Sequence, residues 1–235
     1  MKIGIIAAME EELELLLKNL EDCKEIHFGK FKYYTGQINN VEVAMLLCGI
    51  GKVNAAVGAT LLIDKLEPDY LINTGVAGGF PEEVKIGDIV ISSEVRHHDA
   101  DATAFDYEFG QIPRMPAAFE ADKELVEYAG KVDLQNDKIK VFQGPILSGD
   151  SFIHHPEQID TIIERFPNIM AAEMEGAAIA QTSYLFNIPF VLIRSISDKV
   201  KELGSTDIYK KFMEKAAVNS VKLVLELINK LKEKH

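Results

Sequence analysis

The sequence predicts an α/β fold in which a largely parallel β-sheet is covered by helices on both faces. Apolar runs of strand length alternate along the chain with segments that have helical spacing, and this alternation is typical of such sheets. Hydrophobic residues make up 47% of the 235 residues, which is enough to bury one sizeable core. No linker, repeat or low-complexity segment interrupts the pattern, so we expect a single domain spanning residues 1–235.

Strands are predicted where short apolar runs are bounded by turn-forming residues. The pair Asn39-Asn40 separates two such runs and predicts a hairpin turn. The glycine-rich stretch Thr74–Gly79 is expected to form a tight turn after the strand that runs into it. In chain order, the predicted strands are Lys2–Ala8, Phe31–Gln37, Val41–Cys48, Tyr70–Val76, Asp88–Glu94, Ile139–Ser148, Ile169–Ala172 and Pro189–Ile196.

Helices are predicted where apolar residues recur three or four positions apart. The segment His97–Pro116, between the predicted strand Asp88–Glu94 and the predicted helix Ala121–Gly130, has little periodicity, so no regular element is predicted there. In chain order, the predicted helices are Met9–Leu20, Val53–Leu66, Ala121–Gly130, Pro156–Phe166, Met174–Leu185 and Asp207–Lys232.

Composition restricts the partners and the location of the protein. The net charge of −12 disfavours a nucleic-acid or anionic-membrane surface. No run of about 18 apolar residues occurs, and the N-terminal apolar run ends in three glutamates, so we expect neither a transmembrane helix nor a signal peptide. Two cysteines, Cys23 and Cys48, fit a reduced compartment, and we expect a cytoplasmic protein. The rigid bidentate anion binders are few: Arg96, Arg114, Arg165 and Arg194.

Carboxylates cluster where predicted strands end, which is where ligands bind in open α/β folds. Taken singly, Glu12 can complement the dipole of the helix it starts, and Asp198 can cap a helix or pair with Arg194. Glu175 begins a helix rich in small apolar residues, where a buried carboxylate is costly unless it has a partner. Together, three carboxylates near one crevice predict a functional site.

Other motifs carry weaker signals. The stretch His97–Asp101 (HHDAD) resembles a metal cluster, but no second group of His or Cys lies at ligand spacing, so polar loop packing is favoured. Neither Thr74–Gly79 nor Gly49–Lys52 has the pattern of a phosphate-binding loop. Cys48 lies in an apolar run and predicts a packed core thiol rather than a nucleophile.

Seven motifs, taken together, resemble the 5′-methylthioadenosine/S-adenosylhomocysteine nucleosidases in order and spacing. The resemblance covers nearly the whole chain, and no single motif carries it. The motifs are AAMEEE (Ala7–Glu12), GIGK with NAA (Gly49–Ala56), INTGVAGG (Ile72–Gly79), HHDADATAFDYEFGQIP (His97–Pro113), SGDSFI (Ser148–Ile153), EMEGAAIA (Glu173–Ala180) and RSISD (Arg194–Asp198).

The resemblance implies a three-layer α/β/α sandwich with a central twisted mixed sheet, as in the nucleoside phosphorylases. It also implies a homodimer and hydrolysis of the adenine N-glycosidic bond, which yields adenine and a 5-thioribose product. It implies that no metal or organic cofactor is needed.

The resemblance also assigns roles to individual residues. Asp198 is expected to protonate adenine N7, Glu12 to position and deprotonate the attacking water, and Glu175 to bind the ribose hydroxyls. Arg194 and Ser197 are expected to support Asp198. The remaining residues implied at the pocket are Phe152 stacked on adenine; Ile153 on its edge; Val76, Ala77 and Gly78 along base and ribose; Met9 and Met174 at the sugar; Glu173 on nearby backbone or the ribose periphery; Ile50 in the alkylthio pocket; and Ala102, Phe105 and Pro113 reaching that pocket from the partner subunit.

Two positions depart from the family pattern. Position 76 is often serine among the relatives and is Val76 here, which removes one polar contact. The segment Lys199–Phe212 is less typical of the family, and Tyr209 within it is expected to act as a pocket lid.

Three alternatives remain open. A phosphorylase of the same fold needs cationic clamps for phosphate, whereas no arginine precedes Arg96 and the first motif is acidic. A non-catalytic nucleoside sensor can use Phe152 and Glu175 but has no use for both Glu12 and Asp198. The same hydrolase can also act mainly on another adenosine-like nucleoside, such as 6-amino-6-deoxyfutalosine, because apolar 5′ pockets discriminate modestly.

Overall fold

The computed structural model describes residues 1–134, 136, 138–201 and 205–234. Residues 202–204, part of the less typical segment that follows Asp198, lie outside the described residues. The strands are β1 (Lys2–Ala7), β2 (Glu21–Phe28), β3 (Phe31–Ile38), β4 (Val41–Leu47), β5 (Tyr70–Gly79), β6 (Ile89–His97), β7 (Phe119–Glu120), β8 (Val141–Ser148), β9 (Ala171–Glu173) and β10 (Phe190–Lys199). The helices are α1 (Glu10–Leu17), α2 (Lys52–Leu66), α3 (Lys123–Gly130), α4 (Pro156–Arg165), α5 (Gly176–Phe186) and α6 (Ser205–Lys234).

The strands form one ten-stranded mixed sheet. Parallel pairing joins β4, β1, β5 and β10 in that order, and β8 runs parallel to both β6 and β9. Strands β2, β3 and β4 form antiparallel hairpins, while β6 runs antiparallel to β10 and β5 antiparallel to β9. The prediction of a largely parallel sheet was therefore wrong, because alternation of strands and helices does not report the direction of each pairing. The mixed sheet implied by the resemblance is confirmed.

Strand β5 closes part of the sheet into a ring, because it pairs with both β10 and β9, which are joined to each other through β6 and β8. The first residues of β5 pair with β1, most of the strand pairs with β10, and its last two residues, Gly78 and Gly79, pair with β9. A Cβ on Gly79 would lie 3.0 Å from the Ile196 side chain, so the glycine permits the close approach of β10. The prediction of a tight turn over Thr74–Gly79 was wrong, because these glycines extend the strand rather than end it.

Helices cover both faces of the sheet, as the three-layer prediction requires. On one face α1, α3 and α6 pack on a core that includes Ile5, Leu16 and Leu227. On the other face α2 and α5 pack on a core that includes Leu46 and Ile179. The fourth helix, α4, packs on a separate apolar cluster against β8 and β9. Residues at the strand ends, and in the loops and helices that follow them, build the site.

The hairpin prediction at Asn39-Asn40 is confirmed, with positive φ angles of 53° and 63° at the two residues. Strand β2 was missed because it is an edge strand with mostly exposed residues, so it carries no apolar alternation. Within the described residues, no helix combines the length and apolarity needed to cross a bilayer.

Candidate active site

A cavity of about 250 Å³ opens at the carboxyl ends of strands β1, β5, β9 and β10. This is the edge of the sheet where the sequence predicted ligand binding. Four carboxylates meet there among small apolar and aromatic side chains. The lining residues are Ala8, Met9, Glu12, Ile50, Val76, Ala77, Gly78, Ser151, Phe152, Ile153, Ala172, Glu173, Met174, Glu175, Ser197, Asp198, Val200 and Tyr209.

Glu12 turns into this cavity, whereas its neighbours Glu10 and Glu11 are exposed on the first turn of α1. Its Oε2 accepts hydrogen bonds from the backbone N–H groups of Ala8 (2.9 Å) and Met9 (3.2 Å). Its Oε1 accepts from the N–H of Val76 at 3.3 Å. Burial raises the pKa of Glu12, and the Arg194 guanidinium and these three donors partly offset that effect. The result is a buried carboxylate held in one orientation.

Gly75 makes room for that carboxylate. Its φ of 154° lies outside the usual range for residues with side chains, and a Cβ there would lie 2.6 Å from Glu12 Oε1. The glycine in TGVAGG is therefore needed for close approach of a side chain of the protein itself.

Glu173 is bonded entirely to the protein. Its carboxylate forms a buried ion pair with Arg194 Nη2 at 2.6 Å and accepts a hydrogen bond from the Ser148 hydroxyl. It also accepts from the N–H groups of Glu175 (3.2 Å) and Gly176 (2.8 Å), at the start of α5. Glu173 thus fixes the backbone that carries Glu175, in agreement with the predicted backbone bonding.

Arg194 lies behind the cavity wall. Its side chain is 2% exposed and its guanidinium donates to Asn73 and Glu173, while the predicted support of Asp198 stays a prediction. The strand run FVLIRSI gave no sign of this, because the partner Asn73 comes from β5, far away in the sequence. The Arg194 charge lowers the pKa values of Glu12 and Glu175, against the stronger effect of burial.

Glu175 has one oxygen committed to the protein. Its Oε1 accepts from the N–H of Gly51 at 2.8 Å. Burial, reinforced by the nearby charge of Glu173, raises the pKa of Glu175 to about 8. Among the residues that the structure describes, none donates a hydrogen bond to its Oε2, so this carboxyl group faces the cavity with one oxygen unbound.

Glu175→Gln is expected to stabilise the ligand-free protein, by an amount that grows as pH rises from about 5 to 8. Because the pKa of Glu175 is higher in the folded protein, the native state binds more protons than the unfolded chain in this window, so stability falls as pH rises. Removing the titration should recover on the order of 4 kcal/mol near pH 8, or roughly 8–16 °C in melting temperature, and about 1 kcal/mol at pH 5. Thermal unfolding at pH 5 and pH 8 measures this, with exposed Glu11→Gln as the control; equal gains at both pH values would contradict it.

Asp198 lies at a bulge near the end of β10. The pairing of β10 with β5 shifts register between Ile196 and Asp198, and such bulges re-aim a side chain. The carboxyl group is 2% exposed, and its Oδ1 lies 2.7 Å from the Ser197 hydroxyl that donates to it. Ser197 thus contacts Asp198 directly, and its supporting role stays a prediction.

Aromatic side chains close the outer side of the cavity. Phe152 and Tyr209 contact each other edge to face with ring centroids 5.8 Å apart. The Tyr209 hydroxyl donates to Met9 Sδ at 3.2 Å. Burial, with the negative charge of Glu12 next in importance, raises the pKa of Tyr209 to about 12, so its hydroxyl stays a donor. Tyr209 thus lines the outer side of the cavity, and its role as a lid stays a prediction.

The cavity is strongly acidic. Glu12, Glu173, Glu175 and Asp198 line it, and among the residues that the structure describes no lysine, arginine or histidine does. Arg194 lies behind the wall and is already paired with Glu173. Such a site favours positive charge on a ligand and disfavours a phosphate anion.

The three residues predicted to come from a partner subunit do not line the cavity of their own chain. Phe105 is 77% exposed, in a short 3₁₀ turn, and Pro113 is also exposed while Ala102 is half-buried. Ile50, at the rim of the cavity, is 54% exposed. The position of these residues agrees with a pocket that is open on one side of the single chain.

The stretch His97–Asp101 leaves the sheet after its first residue, since His97 ends β6 and the rest packs as the polar loop that the sequence favoured. His97 Nε2 lies 3.0 Å from Gln181 Oε1, and Asp101 Oδ1 accepts from the Thr103 hydroxyl at 2.7 Å. The Cys48 thiol is buried, which raises its pKa, as expected for a core residue.

Comparison with known proteins decides the family. A sequence profile described as the Phosphorylase superfamily matches residues 2–229. The 5′-methylthioadenosine/S-adenosylhomocysteine nucleosidase of Maridesulfovibrio salexigens is 68% identical over 231 residues, which cover 98% of this chain and 100% of the relative. The chain belongs to the 5′-methylthioadenosine/S-adenosylhomocysteine nucleosidase family. The family member from Desulfotalea psychrophila is 66% identical over 233 residues, covering 99% of each chain.

Solved nucleosidase structures share the fold. The Neisseria meningitidis nucleosidase in complex with methylthio-immucillin-A superposes with a TM-score of 0.93 at 42% identity, covering 97% of this chain and 98% of that one. The Colwellia psychrerythraea nucleosidase in complex with adenine gives a TM-score of 0.94 at 44% identity, covering 97% and 95%. The nucleosidase resemblance and the nucleoside phosphorylase-like fold are both confirmed.

The sequence identified most of the residues that line the cavity, but four lining residues were not predicted. Ser151 and Val200 adjoin predicted residues and follow strand ends, so the strand-end rule could have included them. Ala8 and Ala172 carry no functional group and gave no signal.

Proposed function

We propose that the protein hydrolyses the N-glycosidic bond of 5′-methylthioadenosine and S-adenosylhomocysteine, releasing adenine with 5-methylthioribose or S-ribosylhomocysteine. One observation carries the proposal: two buried carboxyl groups, Glu12 from the first turn of α1 and Asp198 from β10, enter one acidic cavity. The membership of the nucleosidase family and the likeness to relatives in complex with adenine or methylthio-immucillin-A support it.

Breaking the glycosidic bond builds positive charge on the sugar and negative charge on the departing purine. Asp198 donates a proton to adenine N7, so the base leaves as a neutral molecule. Glu12 accepts a proton from a water molecule that it directs onto C1′ of the ribose. The three backbone donors to Glu12 support this role because they fix the carboxylate before the substrate arrives. The Glu12 carboxylate also stabilises the cationic sugar.

Glu175 binds the ribose hydroxyls. Two hydroxyl groups can donate to one carboxylate, and within the described part of the chain a single oxygen of Glu175 is engaged, by the Gly51 N–H. Glu173 acts indirectly, by holding the backbone of Glu175 and Gly176. The ribose hydroxyls are therefore the additional partner that offsets the cost of burying the Glu175 carboxyl group.

The other lining residues surround the substrate. Phe152 stacks on adenine, and the Ile153 backbone contacts the edge of the base. Tyr209 closes the outer side, in contact with Phe152. The residues proposed to pack on base and sugar are Met9, Val76, Ala77, Gly78 and Met174, all of which line the cavity, with Ile50 toward the 5′ substituent.

Water, rather than phosphate, is the nucleophile. A phosphorylase would need cationic side chains beside C1′. Among the described residues, the cavity wall has carboxylates and no cations, and the carboxylate of Glu12 occupies the end of β1. This observation argues against the phosphorylase alternative.

The test is product analysis in phosphate-free buffer. Purified protein incubated with 5′-methylthioadenosine should release free adenine, and added phosphate should leave the rate unchanged. Release that requires phosphate would overturn hydrolysis in favour of phosphorolysis. Binding of the nucleoside without release of adenine would indicate a sensor.

We also propose a homodimer in which Ala102, Phe105 and Pro113 of one subunit complete the pocket of the other. Exposed apolar side chains on adjacent helices support it, since a patch of this kind is typical of an interface. They are Val53 and Val57 on α2 with Tyr184 and Leu185 on α5, together with Ile50 and Phe105. Sedimentation should give twice the chain mass of 26.1 kDa; a monomer with full activity would contradict the proposal.

A cytoplasmic location is part of the same proposal. Both cysteines, Cys23 and Cys48, are free, which suits a reducing compartment.

A further inference from the structure

A charged pair outside the catalytic carboxylates joins three segments that surround the cavity. Lys52 Nζ, at the start of α2, lies 2.6 Å from Asp99 Oδ1, just beyond the end of β6. The second oxygen, Asp99 Oδ2, accepts from the N–H of Asp150 at 2.9 Å. Asp150 Oδ1 in turn accepts from the backbone N–H of Lys52 at 2.8 Å. These three bonds close a cycle, in which each oxygen of Asp99 holds a different segment.

Both ends of the cycle lead directly to substrate-facing groups. Gly51, next to Lys52, donates its N–H to Glu175 Oε1 at 2.8 Å. Asp150 precedes Phe152 by two residues, and the intervening Ser151 lines the cavity. The cycle therefore fixes the carboxylate proposed for the ribose and the aromatic ring proposed for adenine relative to each other.

The packing beneath the cycle makes this link rigid. The His98 ring lies against Gly149, where an added Cβ would meet the ring at 2.3 Å. The His98 N–H donates to the Ser148 carbonyl at 2.9 Å, and the Gly149 N–H donates to the Glu173 carbonyl at 3.2 Å. The segment that carries Phe152 is thus held at Ser148 and Gly149 by backbone hydrogen bonds, and at the next residue, Asp150, by Asp99.

Asp99 is suited to this task by its partial burial. The side chains of Lys52 and Asp99 are 20% and 29% exposed, so their attraction is screened less than that of a fully exposed pair. Burial opposes ionisation of Asp99, but the hydrogen bonds from Lys52 and from the Asp150 N–H outweigh it and keep its pKa below the usual value. Asp99 is therefore ionised, and both oxygens accept, throughout the neutral range.

We propose that Asp99 is a positioning residue for substrate binding, which sets the Phe152 segment against Glu175 through Lys52 and Asp150. The inference rests on the proposed function for the identity of the ligand. It concerns binding rather than bond breaking, because the cycle leads to Glu175 and to the Phe152 segment, the groups proposed to hold the ribose and the adenine. Loss of Asp99 should weaken binding and leave the chemical step intact.

Steady-state kinetics with 5′-methylthioadenosine test the proposal. Asp99→Ala should raise KM roughly tenfold while kcat stays within about twofold of wild type, as expected for loss of one set of coupled contacts. Asp99→Asn, which keeps an acceptor for the Asp150 N–H, should have a smaller effect. The control is Glu127→Ala on α3, which removes an exposed ion pair with Lys131 outside the cavity and should change neither parameter.

A double variant separates positioning from a general loss of structure. Phe152→Ala alone should raise KM, and adding Asp99→Ala to it should raise KM by much less than in the wild-type background. Fully additive effects, an unchanged KM in Asp99→Ala, or a fall in kcat that parallels a large fall in melting temperature would each overturn the proposal.

Binding of adenine, measured by calorimetry, keeps this test independent of the proposed function. If the wild type binds adenine but releases none from the nucleoside, the hydrolase proposal fails while the Asp99 effect on adenine affinity can still be measured. An adenine affinity that is equal in wild type and Asp99→Ala would overturn the role of Asp99 in either case.

Discussion

Glu12→Gln is expected to slow release of adenine from 5′-methylthioadenosine by about 10²–10⁴-fold, mostly in kcat. The amide keeps the size of the side chain and can still accept a backbone hydrogen bond, but it cannot take a proton from water. The N–H groups of Ala8, Met9 and Val76 hold the Glu12 carboxylate inside the cavity. The exposed carboxylates nearby on α1 do not reach that position, so they should not take over its role. Single-turnover measurement of adenine, alongside affinity for adenine, separates the loss in chemistry from any loss in binding.

The matched control is Glu11→Gln, one residue away on the same helix. Glu11 is exposed and does not line the cavity, so this variant should retain wild-type turnover. If the two variants were equally active, or equally impaired, Glu12 could not be the group that activates water.

Asp198→Asn is expected to cause a loss of similar size, about 10²–10⁴-fold in kcat, because the amide has no acidic proton to give to the departing adenine. The bulge at Ser197 and Asp198 and the hydrogen bond from the Ser197 hydroxyl should be tolerated by the amide oxygen. The variant should therefore fold normally, and its melting temperature checks this.

A change of leaving group distinguishes the acid from the base. A 5-methylthioriboside of p-nitrophenol needs no proton to depart, so Asp198→Asn should recover much of the wild-type rate on that substrate. Glu12→Gln should stay impaired on it, because water must still be activated. Equal impairment of Asp198→Asn on both substrates would show that Asp198 has another role.

Much of the site followed from the sequence because its residues lie at strand ends. The strand-end rule brought Glu12, Glu175 and Asp198 together, and the structure places all three on one cavity. The resemblance supplied what the pattern could not, such as the mixed sheet and the aromatic side of the pocket. The roles of Glu12, Glu175 and Asp198 in catalysis and binding stay predictions until the variants are measured.

What the sequence could not supply depends on contacts between distant segments. Arg194 has an apolar strand around it and a helix-cap motif after it, and neither shows that it pairs with Glu173 across the sheet. The length of β5 was underestimated because glycine ordinarily weakens strands, whereas here Gly78 and Gly79 are needed for close pairing with β9 and β10. Strand direction depends on pairings of this kind, and local periodicity contains no information about them.

Closure of one end of the sheet by β5, β9 and β10 also determines when the active site can exist during folding. The cavity wall draws on parts of the chain from Ala8 to Tyr209, so it is complete only after contacts of very long sequence separation have formed, the slowest class to assemble. A partly folded chain has no binding-competent cavity. Any tight ligand should therefore protect against global unfolding in proportion to the logarithm of its concentration, and melting curves alone suffice to rank candidate ligands.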